Sequence, residues 1–215
     1  MSRVFVWFVK ITGWIAAVFY FKTKTYYLSP TQKRNIKGKA IIVSNHKSVM
    51  DYPLYMFVFR WRVIRTLTAE IIYKKGKLMA WFLKKMGCIR VDRESGDFGF
   101  MHEAIEHLNK NGVTLVFPEA RLHKPGEEGL LEFKPSFVYM ALETGAPIIP
   151  CYTNGCYAQK KRAKVLIGER IYLQELYDES KTEKENIDYL CKYVRDYINI
   201  LEVKLFEKEK DTLAC

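Results

Sequence analysis

Two side chains with complementary acid–base chemistry stand close together in the run Ile41-Ile42-Val43-Ser44-Asn45-His46-Lys47-Ser48-Val49-Met50-Asp51. Histidine is the one side chain whose unperturbed pKa lets it take and return a proton near neutrality. An aspartate held beside it fixes its tautomer and stabilises its charged form. The two cannot share a helix face, because five positions turn about 500° on a continuous helix. They meet if His46 ends a strand and Asp51 lies in the first turn of the helix that follows. Ser48 through Asp51 reads as a capping pattern; Asp51 is itself an alternative N-cap, with Pro53 tolerated early in the helix. The competing reading of these residues alone is a surface histidine beside a capping aspartate.

Further polar clusters follow apolar runs. In 87–93, Arg90 and Asp92 point to one side of an expected strand, and Ile89, Val91 and Arg93 to the other. Arg93, at the strand exit, is the better anion ligand, since a guanidinium fork matches phosphate or carboxylate. Phe117-Pro118-Glu119-Ala120-Arg121 closes another apolar run with a carboxylate and a guanidinium. Such a pair suits an acceptor hydroxyl and an anionic head group; a loop salt bridge is the alternative. Lys134 is a second cation, just before a helix start at Ser136. No metal role is expected: His102 and His107 are five apart, and a helical zinc site needs four.

The elements that must carry these groups alternate. Strand patterns fall at 40–44, 63–67, 88–91, 113–117, 147–152, 163–167 and 171–173, and helical patterns at 52–59, 77–85, 98–109, 137–143 and 187–206. This alternation predicts an α/β fold, a single layered domain with a mostly parallel central sheet flanked by helices. Functional groups of such sheets gather beyond the C-terminal strand ends. The 215 residues suit one sizeable core, with residues 1–30 as an N-terminal membrane-associated segment and 31–215 as the main domain.

The net charge of +11 is uneven: no acidic residue precedes Asp51. This asymmetry points to a polyanionic partner, whether a membrane surface, a phosphorylated substrate or nucleic acid. Residues 4–21 choose among them. They are almost entirely apolar, carry Trp7, Trp14 and Tyr20, and are interrupted by Lys10. A spanning helix needs about 20 apolar residues, and a mid-span lysine costs about 3 kcal/mol. The pattern favours an apolar helix in one leaflet or at the interface, with Lys33, Arg34, Lys37 and Lys39 facing anionic head groups. A buried core helix is the alternative. Five cysteines without a Cys-x-x-Cys pair indicate reduced thiols and a cytoplasmic-side location. A non-catalytic basic protein that binds membranes or nucleic acid is a further reading, but no nucleic-acid motif accompanies the charge.

Taken together, the segments resemble the 1-acylglycerol-3-phosphate acyltransferase family. The blocks occur in order: Asn45-His46-x4-Asp51, Gly87-Cys88-Ile89 through Arg93, Phe117-Pro118-Glu119, and Pro147-Ile148-Ile149-Pro150. The third block departs from the family's Phe-Pro-Glu-Gly-Thr-Arg: Ala120 replaces glycine, Arg121 replaces threonine, and Leu122 stands where arginine is usual. The resemblance implies His46 as general base and Asp51 as its partner. It implies Asn45, Arg93, Glu119, Arg121 and Lys134 as substrate-binding residues. It also implies a lysophospholipid acceptor and an acyl-CoA or acyl-carrier-protein donor. No cofactor and no nucleic acid are expected, and the apolar N-terminal segment with the reduced cysteines places the chain on the cytoplasmic face of the cell membrane. The altered third block leaves room for another lysophospholipid or an amino-lipid as acceptor.

Overall fold

The computed structural model describes residues 2–29, 35–92, 98–157 and 162–213. Strands β1 (Lys24–Tyr27), β2 (Ala40–Ser44), β3 (Ile64–Ala69), β4 (Ile89–Val91), β5 (Val113–Val116), β6 (Ile148–Thr153) and β7 (Lys164–Ile167) form one sheet. Their spatial order is β1-β7-β6-β2-β5-β3-β4. The helices are α1 (Arg3–Phe21), α2 (Asp51–Val58), α3 (Glu70–Tyr73), α4 (Lys77–Met86), α5 (Gly99–Asn109), α6 (Ser136–Thr144) and α7 (Glu183–Leu213). Every pairing is parallel except β6 with β7. The expected layered, mostly parallel α/β architecture is the one found.

β2 shows why its sequence is apolar at every position until it ends. It lies between β5 and β6 and is covered on both faces, a setting that favours a continuous apolar run over alternation. Ile41 and Val43 join the layer built by α5, α6 and α7, with Leu108, Phe137 and Leu190. Ala40 and Ile42 join the opposite layer, with Leu54, Tyr55 and Val58 of α2 and Ala17 and Phe21 of α1. Each such buried aliphatic or aromatic side chain contributes about 1.5–3 kcal/mol. A smaller cluster of Val6, Met56, Leu83 and Met86 seats the start of α1 on α2 and α4.

Some expected elements change. Ile171 makes only an isolated bridge with Ile148, and the chain turns into a 3-10 helix at Leu173–Leu176 instead of a strand. α7 begins before residue 187 because Thr182 and Glu185 form a reciprocal capping box: the Thr182 amide donates to Glu185 Oε2 (2.9 Å) and the Glu185 amide to Thr182 Oγ1 (3.3 Å). β1 was not expected, since Lys-Thr-Tyr-Tyr has no apolar alternation; its backbone pairs with β7, whose other side is held by β6. Of the two capping readings, the Ser48–Asp51 pattern is present as hydrogen bonds: Ser48 Oγ accepts the Met50 amide (3.2 Å) and Asp51 Oδ2 accepts the Ser48 amide (2.9 Å). Asp51 is not itself the N-cap, since α2 starts at Asp51 after Met50.

Candidate active site

β2 and β6 lie side by side and parallel, so their exits share one edge of the sheet. At that edge the chain leaves β2 through Ser44, Asn45 and His46 before entering α2. His46 Nδ1 lies 2.9 Å from Asp51 Oδ2. Because a carboxylate accepts, the imidazole donates from Nδ1, which leaves Nε2 for chemistry. The His46 side chain is 20% exposed and that of Asp51 is fully buried. The histidine of the pair is therefore partly open to solvent while the aspartate stays dry. The ring stacks on Phe117 at 4.4 Å between centroids, which limits its rotation.

The Asp51 carboxylate sits in a cage of donors. Oδ2 also accepts the amides of Lys47 (2.8 Å) and Ser48 (2.9 Å), and Oδ1 accepts the hydroxyl of Tyr157. Burial, and then Asp51 itself, push the Tyr157 hydroxyl far above its ordinary range, so it remains a donor. Two amides of a tight loop thus hold the Asp51 carboxylate in place. They explain how residues five apart face each other: the loop folds around the carboxylate.

The other expected site residues divide. Asn45 is fully buried and both ends of its amide are spent on Thr153, donating to the carbonyl (2.9 Å) and accepting from the amide (2.8 Å). It clamps the exit of β2 to β6. Glu119 is likewise buried. Its Oε1 accepts the His46 amide (2.8 Å) and its Oε2 the Leu131 amide (3.1 Å), with His123 Nε2 3.5 Å away. In this structure Asn45 and Glu119 both hold the loop that carries His46.

Arg121 is exposed and makes a two-pronged ion pair with Glu127 (2.5 and 2.8 Å). Its fork is already occupied by a carboxylate, so the loop salt bridge is the reading the structure supports. Ala120 has a φ of +61°, a left-handed backbone that glycine adopts freely and that strains a Cβ. Lys134 lines a cleft with Glu132, Asp188, Lys192 and Arg195, between the segment before α6 and the outer face of α7. Arg93 lies outside the described residues. Cys88, Cys151, Cys156 and Cys191 are free thiols, and burial raises Cys88 and Cys191 to about 11, which keeps both protonated at neutral pH.

Sequence reading missed Phe117 as the platform for His46 and Tyr157 as a partner of Asp51. Tyr157 lies 106 positions from Asp51 and shows no motif of its own. Only the adjacency of β2 and β6 brings it there.

A family model described as Acyltransferase matches residues 24–154, more than half of the chain. The 1-acyl-sn-glycerol-3-phosphate acyltransferase of Limnanthes alba is 25% identical over 162 residues, 74% of this chain and 56% of that protein. The corresponding enzyme of Cocos nucifera is 24% identical over 185 residues, covering 80% and 58% of the two chains. The chain thus spans little more than half the length of these curated relatives. The crystal structure of the 1-acyl-sn-glycerophosphate (LPA) acyltransferase PlsC from Thermotoga maritima superposes with a TM-score of 0.63 at 20% identity. That match covers 92% of this chain and 79% of the other, and it shows a common fold.

Proposed function

We propose that this chain, which belongs to the acyltransferase family, transfers a fatty acyl group from a thioester to the free hydroxyl of 1-acylglycerol-3-phosphate, giving phosphatidic acid in phospholipid biosynthesis. The observation that carries the proposal is the His46–Asp51 pair at the exit of a buried parallel strand, with Nε2 left open. An alcohol is a poor nucleophile at neutral pH. His46 Nε2 takes its proton as the oxygen attacks the thioester carbonyl. Asp51 stabilises the imidazolium that forms. Collapse of the tetrahedral intermediate breaks the carbon–sulfur bond, and the imidazolium returns the proton to the thiolate. The products are an ester and a free thiol, and no covalent acyl-enzyme is required. The donor is acyl-CoA or acyl-carrier protein, both of which present such a thioester.

The test is release of free thiol by purified protein in detergent, given lysophosphatidate and an acyl thioester. His46→Ala should lower turnover at least about a thousandfold while the protein stays folded, the scale expected when a general base is lost. Near-normal turnover in that variant would sink the mechanism. The Arg121–Glu127 pair favours a second reading, in which the same chemistry serves another lysophospholipid or an amino-lipid. Assays with several lyso-lipids and one donor separate the two.

The same reading includes a monotopic place on the cytoplasmic face of the membrane. α1 is long and apolar enough to cross a bilayer. Its inner face is tied to the domain: Val6, Ala17 and Phe21 are buried, and Lys10 Nζ donates to the carbonyls of Arg62 (2.7 Å) and Phe59 (3.4 Å). The lysine that would burden a spanning helix therefore points into protein, where burial lowers its pKa to about 8. The outer face leaves Val4, Phe8, Ile11, Ile15 and Phe19 exposed. α4 continues this surface through the Phe5–Trp81 edge contact, with Leu78 and Met79 exposed among Lys74, Lys75, Lys77, Lys84 and Lys85. Exposed apolar area of this extent, rimmed by lysine, suits one leaflet of an anionic bilayer. Ile11→Glu with Ile15→Glu should abolish sedimentation with anionic liposomes; retained sedimentation would refute this docking.

A further inference from the structure

We infer that Tyr157 is a positioning residue for the reaction: through the carboxylate oxygen that His46 does not use, its hydroxyl aims Asp51 and moderates its pull on the imidazole. The inference rests on the acyl-transfer reading above. Asp51 is fully buried, and its two oxygens are used asymmetrically. Oδ2 carries His46 and two amides, whereas the one contact recorded on Oδ1 among the described residues is the Tyr157 hydroxyl. A carboxylate held on one oxygen alone can rock about its Cβ–Cγ bond; a donor on the second oxygen prevents that and fixes the direction in which Oδ2 meets the ring.

Tyr157 is itself braced. Its ring meets Phe21 edge to face at 5.5 Å between centroids, and its hydroxyl lies 3.4 Å from Thr153 Oγ1. Phe21 is the last residue of α1 and is buried. Its carbonyl accepts the amide of Ala163, which precedes β7 (2.8 Å). The same tyrosine therefore connects the seat of the apolar helix with the partner of the base. The relay runs from Phe21 through the Tyr157 ring and hydroxyl to Asp51 and His46.

The charge effect has a definite sign. A hydrogen bond to Asp51 disperses its negative charge, so the carboxylate stabilises the imidazolium less than it would unassisted. Without that bond the imidazole retains its proton to higher pH. The other titratable groups around the pair are Glu119 at the His46 amide, His123 behind Glu119, Lys47 in the loop, Tyr55 on α2, and Cys156 next to Tyr157. Tyr157→Phe leaves all of them in place, together with the ring contact to Phe21.

The experiment compares kcat/KM against pH for the wild-type protein and Tyr157→Phe, with lysophosphatidate and an acyl thioester. The expected result is a kcat lowered about five- to twentyfold, unchanged KM for both substrates, and an acidic limb displaced to higher pH by about half a unit or more. Nitrogen NMR of the imidazole, read without substrate, should show the same displacement. Phe21→Leu should give a smaller displacement of the same sign, because it loosens the ring without touching the hydroxyl. A fall in kcat with the limb and the imidazole titration unmoved would assign Tyr157 to packing alone and overturn the inference. So would a kcat within twofold of wild type. Wild-type turnover in the same assay reports separately on the acyl-transfer reading, and the NMR titration does not depend on it.

Discussion

The loops after β2 and β5 leave adjacent parallel strands at the same edge of the sheet, and they hold their charged groups in opposite ways. After β2, the carboxylate is buried and every recorded contact points inward, to His46, Lys47, Ser48 and Tyr157. After β5, the charges part. Glu119 turns inward to support the His46 amide, and Arg121 turns outward to Glu127. Proton transfer needs a geometry fixed within a fraction of an ångström, and burial with full hydrogen bonding supplies it. An exposed ion pair is held only weakly and exchanges readily for water. His46 is thus held in one geometry by its surroundings, while Arg121 is not.

This contrast can be broken most severely at Asp51. Asp51→Asn removes the charge and presents an amide to a ring nitrogen that needs an acceptor. Turnover should fall by about a thousand- to ten-thousandfold, as expected when the carboxylate of such a pair becomes an amide. Thiol release under saturating substrates measures it, and a loss below tenfold would show that the pair is not the catalytic unit. Arg121→Ala probes the other loop. If Arg121 serves only its loop pair with Glu127, the KM for lysophosphatidate should change by less than about threefold. A rise of about tenfold or more would return Arg121 to the phosphate site. The smallest effect is expected at Ala120. Ala120→Gly relieves a left-handed backbone and should stabilise the fold by about 0.5–1 kcal/mol, read as a small rise in Tm. A fall in Tm would mean that the φ of +61° carries no strain.

Much of this was legible along the chain. Ile41, Ile42 and Val43 announce a strand buried on both faces, and Gly87 and Gly145 mark helix ends that the structure closes with left-handed caps. The His46–Asp51 spacing predicted a pair only in a strand-to-helix turn, and that turn is present. Residues 171–173 misled because an apolar triplet fits a strand or a 3-10 turn equally well, and Ile171 reaches Ile148 for a single bridge. Arg121 and Glu119 were legible as charges but not by the partners they hold in the structure. A sequence shows that a charge is present but not which nearby group of opposite charge, or which amide, will occupy it.

The order of residues alone was enough for the alternation of layers, the place where β2 stops, and the identities of an acid and a base near that stop, since these follow from local apolar periodicity and side-chain chemistry. Which groups surround that acid was settled by the packing of β6 against β2, which delivers Thr153 to Asn45 and Tyr157 to Asp51 from more than a hundred positions away. Hydrogen bonds at such separations depend on which strands become neighbours, and that choice belongs to the burial of the whole sheet rather than to any segment of it.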